Sequence, residues 1–362
     1  MHWRVPVAEL SLAEQIDTQI RTNGPISLAT YMGLCLGHPR QGYYAVGRPI
    51  GADGDFITAP EISQMFGELI GFFLVNLWQQ MGQPTSFTLL ELGPGRGTLM
   101  QDALRAASRA DGFENALHLQ LYESNTILRA EQEKRLGSYS PYWASEIDAI
   151  GEDPVFVVAN EFFDALPIKQ FVKTDDGWHE RLVGLHEGQR VFGLSPTPIA
   201  DTAAPPEVHG AFAGEVLELS PAAVDTMQRL SRKVAVQGGA ILAIDYGYEQ
   251  TQTGETLQAV KSHAFAEVLE TPGDADLSAH VNFQVLAEAA RASGLAVAPL
   301  AHQGEWLLKL GLGERAKALA RSNPSEAGNI ARAVERLTSP QQTGTLFKVL
   351  CAHSPGLRPA GF

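Results

Sequence analysis

The segment Phe87-Thr-Leu-Leu-Glu-Leu-Gly-Pro-Gly-Arg-Gly97 carries the strongest fold signal of the chain. Apolar and β-prone residues run up to Glu91, glycines then alternate with other residues, and residues 98–105 have a helical pattern. This strand, tight turn and helix N-terminus form the unit with which α/β proteins hold a nucleotide-like ligand, because glycine lets the backbone come close to it. The alternative is a plain tight turn between a strand and a helix. The predicted cofactor-binding residues of the turn are Gly93, Pro94, Gly95 and Gly97.

The spacing of the glycines and the acid before them indicate which ligand is bound. A dinucleotide fingerprint, G-x-G-x-x-G, would need glycine at position 98, where the chain has Thr98. The carboxylate of Glu91 would repel a pyrophosphate but attract a ligand with an ammonium and a sulfonium centre. The form E-x-G-x-G-x-G also resembles the first motif of the class I methyltransferases. We therefore predict S-adenosyl-L-methionine as the cofactor and Glu91 as one of its binding residues.

Length, composition and charge limit the possible functions. The chain has 362 residues, of which 44% are apolar and 19% charged, as in an ordinary globular protein. A formal charge of -14 argues against nucleic acid as the main partner, because neutralising phosphates takes a surplus of Lys and Arg. Cys35 and Cys351 lie too far apart for a metal or redox motif. The most apolar stretch, 69–75, is too short to span a bilayer, and no secretory signal is evident, so we expect an intracellular protein with no membrane insertion.

Two further stretches are candidates for cofactor contacts. A predicted strand at 118–122 ends at Glu123, which is placed to accept both ribose hydroxyls of a bound nucleoside. Thr58-Ala-Pro-Glu61 has the pattern of a capping box opening a helix with an apolar stripe up to Leu77. A long loop rich in glycine, aromatics and acids, 41–56, precedes this helix. Thr58 and Glu61 are therefore predicted either as helix caps or as part of a cover over the cofactor.

The apolar run at 155–159 predicts a buried parallel strand that ends in Asn160-Glu-Phe-Phe-Asp-Ala-Leu-Pro167. Groups at the carboxyl end of such a strand face the reacting centre of an open α/β sheet. Glu161 and Asp164 can clamp a guanidinium by bidentate hydrogen bonds and draw positive charge from its attacking nitrogen. The alternative for Asp164 is a cap on the turn that follows, and Phe162 and Phe163 are predicted in the core. The predicted catalytic residues are Glu161, Asp164 and Asn160.

The remaining segments complete the predicted organisation. Short alternating segments at about 168–216 predict a β-rich insertion, and the loop at 272–282 predicts an active-site lid rather than a metal site. An acid in 145–148 is a weak candidate for an adenine contact. The predicted domains are an N-terminal helical cap with a cofactor-covering loop at 1–85, and a methyltransferase domain at 86–362 whose lid loop spans about 250–282. The predicted substrate or lid residues are Asp245, Tyr246 and His280.

Five motifs occur in an order that resembles the MidA-like family of S-adenosylmethionine-dependent methyltransferases, and the resemblance spans nearly the whole chain. One position departs from the family: Asn282 stands where its loop motif has Asp. The motifs are Gly54-Asp-Phe-Ile-Thr-Ala-Pro-Glu-Ile-Ser-Gln-Met-Phe-Gly67, Glu91-Leu-Gly-Pro-Gly-Arg-Gly97, Asn160-Glu-Phe-Phe-Asp-Ala-Leu-Pro167, Ile244-Asp-Tyr-Gly247 and Asp276-Leu-Ser-Ala-His-Val-Asn282.

The resemblance implies an α/β fold with a class I, Rossmann-like methyltransferase sheet in the order 3-2-1-4-5-7-6, strand 7 being antiparallel. It also implies N-methylation of an arginine on a protein partner; the mitochondrial members are complex I assembly factors that act on a core subunit of that complex. Because no transit-like segment precedes Trp3, we expect the cytoplasm of a bacterium, or the mitochondrial matrix for a processed eukaryotic member. The sequence leaves open whether the protein forms a homo-oligomer. Two alternatives also stay open: a non-catalytic, cofactor-binding assembly chaperone and an NAD-dependent oxidoreductase.

Overall fold

The structure, a computed structural model, describes residues 10–45 and 58–362. Most of the predicted cofactor-covering loop therefore lies outside the described residues. Besides short 3-10 turns, the described helices are α1 Leu12–Asn23, α2 Leu28–Gly37, α3 Ala59–Ile62, α4 Gln64–Gln80, α5 Thr98–Ala107, α6 Phe113–Ala116, α7 Thr126–Leu136, α8 Pro221–Gln237, α9 Phe283–Ala292, α10 Gln303–Lys309, α11 Leu312–Ser322, α12 Ala327–Thr338 and α13 Thr343–Leu346.

The strands fall into three sheets. In chain order they are β1 Ile26–Ser27, β2 Phe87–Leu92, β3 Leu117–Tyr122, β4 Tyr142–Trp143, β5 Val155–Asn160, β6 Lys169–Thr174, β7 Gly177–His186, β8 Gln189–Leu194, β9 Val216–Leu219, β10 Gly239–Tyr248, β11 Gln258–Lys261, β12 Ala264–Ala266, β13 Asp276–Ser278, β14 Val281–Asn282, β15 Ala296–Val297, β16 Ala301–His302 and β17 Phe347–His353.

The largest sheet has the order β15-β17-β10-β5-β2-β3-β4, with β14 beside β10 and β16 beside β17. The pairs from β4 to β10 along this order are parallel, whereas β17 runs antiparallel to β10 and to β15. Numbered by their place in the chain, these strands follow the order 3-2-1-4-5-7-6. The predicted α/β class and its antiparallel strand 7 are therefore confirmed.

Alternate residues of the central strands enter two hydrophobic cores, one on each face of this sheet. Phe87 and Leu89 of β2 join the core built with α4, α5 and the helices after α9, while Leu90 and Leu92 join the core built with α8 and α9. Because successive side chains of a strand point to opposite faces, a strand covered on both sides must be apolar throughout. This explains why β5 is an uninterrupted apolar run up to Asn160, and why β2 is buried along its whole length, with Thr88 and Glu91 as its polar residues.

The chain divides into two compact units. The unit with the large sheet comprises 58–166, Ala222–Thr251 and Ala279–Phe362; the other comprises 10–45, Pro167–Pro221 and Gln252–Ser278. The second unit holds a five-stranded antiparallel sheet, in which β8 extends the order β1-β7-β6-β9, and the small sheet β12-β11-β13. The predicted insertion and much of the predicted lid thus contain regular strands. The predicted domain boundary at 85/86 does not coincide with a boundary between the two compact units. The domain assignment stays a prediction.

The helix predicted from Thr58 is broken in the structure. Thr58 precedes the short helix α3 and makes no side-chain cap hydrogen bond, so the predicted capping box is wrong. Ser63, with an extended backbone, ends α3, and its hydroxyl accepts a hydrogen bond from the Met65 N–H at the start of α4. At the start of α1, the side chains of Ser11 and Glu14 form a capping box. Among the described residues, no helix is long and apolar enough to cross a bilayer.

Candidate active site

The glycine turn follows β2 at the carboxyl edge of the large sheet. Gly93 and Gly97 have φ of 62° and 79°, in the left-handed region that favours glycine. A Cβ atom on Gly93 would lie 3.2 Å from the Phe162 ring, and one on Gly97 would lie 3.3 Å from Leu136. Both positions therefore favour glycine for their conformation, and a Cβ atom at either would be in tight contact with a neighbouring side chain. The turn leads directly into α5, so it can present backbone N–H groups to a ligand.

Glu91 lies near the end of β2, with only 3% of its surface exposed. Its Oε2 atom is buried and has no hydrogen-bond partner among residues 10–45 and 58–362. Burial, followed by repulsion from Glu123, raises the pKa of Glu91 to about 8. A buried acceptor without a partner is costly, so this atom indicates a ligand group that donates hydrogen bonds or carries positive charge.

Glu123 follows β3, as predicted, and lies near the glycine turn. Its Oε1 atom accepts a hydrogen bond from the Asn125 N–H at 2.8 Å, and burial raises its pKa. Gln132 of α7 lies 3.4 Å from the Oε2 atom of Glu123 and donates to the Gly95 carbonyl at 2.7 Å. Its own carbonyl oxygen accepts from the Trp143 indole at 2.7 Å. Gln132 thus ties the glycine turn to the predicted ribose-binding acid.

Sequence reasoning missed Gln132, although the chain holds a signal for it. Gln132 lies four residues after Leu128 and four before Leu136 on α7, and all three are buried. A polar side chain at an apolar position of a helix needs hydrogen-bond partners in the interior. That pattern identifies a buried polar residue, but it does not identify the partners.

The short helix α3 connects the glycine turn to the end of β5. The Glu61 carboxylate accepts a hydrogen bond from the Thr98 hydroxyl at 2.6 Å, at the first residue of α5. The Ala59 N–H lies 3.3 Å from the Oε1 atom of Glu161 and donates to it. The predicted cofactor contacts of Thr58 and Glu61 stay predictions, but α3 reaches both parts of the site.

Asn160 and Glu161 stand at the carboxyl end of β5. Glu161 has φ of 51°, which is uncommon for a residue with a side chain and occurs often at functional sites. Its Oε1 atom also accepts from the Asn160 side-chain amide at 3.2 Å. Burial, followed by repulsion from Asp164, raises the pKa of Glu161 to about 7. The side-chain Oδ1 atom of Asn160 is buried without a partner in the described part of the chain, so it remains able to accept a hydrogen bond.

Asp164 and Asp245 complete an acidic cluster with Glu161. The Oδ2 atom of Asp164 accepts a hydrogen bond from the Tyr246 hydroxyl, while the Oδ1 atom of Asp164 is buried and has no partner among the described residues. Burial raises the pKa of Asp164 to about 6, partly offset by the Tyr246 hydrogen bond. Burial also raises the pKa of Asp245, and repulsion from Asp164 and Glu161 adds to this. The His280 ring meets the Tyr246 ring edge-on at 5.5 Å.

Four further side chains considered in the sequence make packing, ionic or capping contacts. Phe163 is buried as predicted, whereas Phe162 is only partly buried and meets the Tyr122 ring at 6.4 Å. Asp148, considered for an adenine contact, lies outside the strands and binds Arg229 at 2.7 Å. Asn282 caps α9 by accepting from the Val285 N–H and donates to the Thr251 hydroxyl at 2.8 Å. The departure at position 282 thus has a structural role.

Known proteins with similar sequences are described as methyltransferases. The model of a family described as S-adenosyl-L-methionine-dependent methyltransferases matches residues 69–300. The mitochondrial protein arginine methyltransferase NDUFAF7 of Danio rerio is 33% identical over 93% of this chain and 86% of its own length. The human NDUFAF7 protein is 32% identical over 91% of this chain and 80% of its own length. Both similarities extend well beyond the glycine turn.

A solved structure is also similar to this chain over nearly its whole length. The crystal structure of a methyl transferase superfamily member from Burkholderia thailandensis, bound to S-adenosyl-homocysteine, has a TM-score of 0.84 and 27% identity. The similarity covers 97% of this chain and 93% of that one. The cofactor is therefore S-adenosyl-L-methionine, as predicted. The unpartnered Oε2 atom of Glu91 and the glycine turn fit a ligand that carries an ammonium group.

Proposed function

This chain belongs to the family of S-adenosyl-L-methionine-dependent methyltransferases, and we propose that it methylates a guanidinium nitrogen of an arginine in a protein partner. Its NDUFAF7 relatives are named protein arginine methyltransferases, which supports this choice of acceptor. Similarity alone does not say which residues would hold the arginine. The acidic cluster at the end of β5 supplies that part of the proposal.

The observation that carries the proposal is that this cluster consists of carboxylates, which when ionised only accept hydrogen bonds. Glu161, Asp164 and Asp245 lie together, and in the described part of the chain none of them forms an ion pair. Buried carboxylates without a cation are unfavourable, so the cluster suits a ligand that supplies positive charge. A guanidinium has five N–H donors in a planar fork, which matches several acceptors at once. An unpartnered oxygen on each of Asn160 and Asp164 is available to such donors.

Each residue of the site has a role in this reaction. S-adenosyl-L-methionine, when bound, supplies an electrophilic methyl group. Glu91 and the glycine turn bind its amino-acid part, and Glu123 accepts hydrogen bonds from its ribose. Glu161, helped by Asp164 and Asn160, orients the guanidinium so that one nitrogen faces the methyl carbon. Positioning and exclusion of water account for most of the rate gain in such a transfer.

Glu161 can also accept the proton that the nitrogen loses. A guanidinium carries one positive charge at neutral pH, and adding a methyl cation would raise this to two, so the attacking nitrogen must release one proton for the product to be a singly charged methylguanidinium. Burial raises the pKa of Glu161 to about 7, which suits a group that gives and takes protons near neutral pH. The Oε1 atom of Glu161 is engaged by the Ala59 N–H and the Asn160 amide. These contacts hold its carboxylate in place for the transfer.

The finer assignments follow the sequence prediction. We propose a core subunit of respiratory complex I as the partner and the cytoplasm of a bacterium as the location. The similar protein from Burkholderia thailandensis is bacterial, whereas the NDUFAF7 relatives are mitochondrial. Co-purification of the tagged chain with complex I subunits tests the partner. Capture of an unrelated basic protein, with no complex I subunit, would contradict this assignment.

The test of the reaction is transfer of a labelled methyl group. The protein is incubated with S-adenosyl-L-methionine labelled on the methyl group and with a lysate of cells that lack it, and labelled peptides are mapped by mass spectrometry. We expect the label on arginine of one main protein. Label on lysine or on a small molecule would refute arginine as the acceptor, while the methyltransferase assignment would stand.

We expect Gly95→Val to abolish cofactor binding. Gly95 has φ of 53°, and its carbonyl accepts the Gln132 side chain at 2.7 Å, so a β-branched residue there distorts the turn. Calorimetry with S-adenosyl-homocysteine measures the loss. Gly82→Val is a matched control, because Gly82 has φ of 81° and lies in the turn after α4, away from the site. Equal affinity in the two variants would contradict the assigned role of the turn.

Label transfer by the wild type separates an enzyme from a non-catalytic chaperone, and the Gly95→Val protein is the control without bound cofactor. Under our proposal the wild type labels its partner, and the Gly95→Val protein captures the partner without labelling it. A chaperone that binds the cofactor only for stability would capture the partner and transfer no label even as the wild type. Partner capture and label transfer are measured on the same samples.

A further inference from the structure

The carboxylate of Asp245 is bound entirely through backbone groups. Asp245 lies in β10, and its side chain is 0% exposed. Its Oδ2 atom accepts hydrogen bonds from the N–H groups of Phe162, Phe163 and Asp164 at 3.2, 3.0 and 3.2 Å. Its Oδ1 atom accepts from the N–H of Tyr246 at 3.0 Å. Asp245 thus has both oxygens engaged.

Three successive N–H groups that converge on one oxygen form a concave anion-binding turn. The residue just before them is Glu161, whose φ of 51° is unfavourable for a side chain with a Cβ atom. The N–H of Glu161 donates to the Ile244 carbonyl at 2.9 Å, next to Asp245 in β10. Ile244 and Asp245 therefore hold the backbone on both sides of the strained residue. Backbone strain of this kind persists only where surrounding contacts enforce it.

We propose that Asp245 is a positioning residue, which fixes the turn after β5 so that Glu161 presents its carboxylate to the methyl acceptor. The role of Glu161 rests on the proposed function. The clamp, by which we mean the hydrogen bonds from the N–H groups of residues 162–164 and Tyr246 to the Asp245 carboxylate, does not. The sequence predicted Asp245 as a substrate or lid contact. In the structure its oxygens are used by the turn, and it acts through Glu161.

Hydrogen exchange of the wild type tests the clamp without any variant. The amides of Phe162, Phe163 and Asp164 lie outside helices and strands, yet each donates to Asp245. We expect them to exchange about 100-fold or more slowly than the same residues in an unstructured peptide. Exchange at the rate of the free peptide would overturn the proposal. Because this readout needs no acceptor, it stands whether or not arginine is the substrate.

Asp245→Asn tests the consequence for catalysis. The amide can offer its carbonyl to the turn only by placing its NH2 group against the Tyr246 N–H, so the clamp weakens. We expect kcat to fall about 100-fold, as for a misplaced catalytic group, with the Kd of S-adenosyl-homocysteine unchanged and faster exchange of the three amides. Unchanged kcat would overturn the proposal.

A matched variant distinguishes positioning from general destabilisation. Glu68 is another buried acid of the same unit, and it binds Arg315 and Arg105 at 2.6 and 3.0 Å, away from the end of β5. We expect Glu68→Gln to lower the melting temperature but to leave kcat and amide exchange at 162–164 unchanged. If Asp245→Asn fails to fold, the exchange of the wild type decides alone. If the label appears on another acceptor, the arginine proposal fails, and kcat for that acceptor still tests Asp245.

Discussion

Replacing Glu161 by glutamine is expected to lower kcat by about 100-fold or more, in the range for removing a general acid or base. Glutamine keeps the size of the side chain, and its carbonyl can still accept from the Ala59 N–H and the Asn160 amide. What it loses is the negative charge and the ability to take a proton. The affinity for S-adenosyl-homocysteine should therefore stay unchanged, which calorimetry measures beside single-turnover kinetics.

The dependence of kcat/KM on pH gives a second readout for Glu161. Burial raises its pKa to about 7, so the reactive carboxylate is lost as the pH falls through that value. The wild type should show an acid limb near pH 7, and the glutamine variant should lack it. Glu314→Gln removes an exposed acid of α11 and should leave kcat and the pH profile unchanged. If the limb survived in the Glu161 variant, another group would have to be the base.

Local pattern was enough to predict the central parallel strands and the cofactor turn, whereas the order of the strands was predicted from the family resemblance. Uninterrupted apolar strands, alternate glycines and an acid at the end of the second strand each reflect a short-range requirement, and short-range requirements are visible in sequence. The same holds for the polar run after β5, because strand ends of a parallel sheet meet at one edge. The candidate site residues were therefore predicted together with the strands that carry them.

What the sequence could not show is how those residues bind one another. Asp245 accepts hydrogen bonds from N–H groups 81–83 residues earlier, and no spacing rule predicts a side-chain contact over that separation.

The break between α3 and α4 was missed for a different reason. Ile62 and Met65 are three residues apart, so the apolar stripe continues across Ser63 although the backbone there is extended. Periodicity alone cannot distinguish a continuous helix from two helices with an extended residue between them.

Replacing Glu91 by glutamine is expected to weaken cofactor binding by about 100-fold, since removing one partner of a buried charge pair costs several kcal/mol. Glu91 is 3% exposed, and no residue that the structure describes supplies a partner to its Oε2 atom. The Kd values of S-adenosyl-L-methionine and S-adenosyl-homocysteine, measured by calorimetry at one pH, test this. Glu68→Gln again serves as the control, because the carboxylate of Glu68 is satisfied by two arginines of the protein itself. Equal weakening in both variants would remove Glu91 from the cofactor site.

The same variant should be more stable than the wild type when no cofactor is present and the pH is high. Burial raises the pKa of Glu91 from 4.5 to about 8, so the folded protein binds more protons than the unfolded chain between these values. The contribution of this group to the free energy of unfolding is therefore largest below about pH 4.5 and falls as the pH rises to 8. Glutamine cannot ionise, so the difference in melting temperature between variant and wild type should grow over this range. With cofactor bound, the wild type should be more stable than the variant, because the ammonium group of the cofactor pairs with the ionised carboxylate of Glu91. A variant that is less stable than the wild type by the same margin at every pH would show that Glu91 is a structural acid with partners of its own.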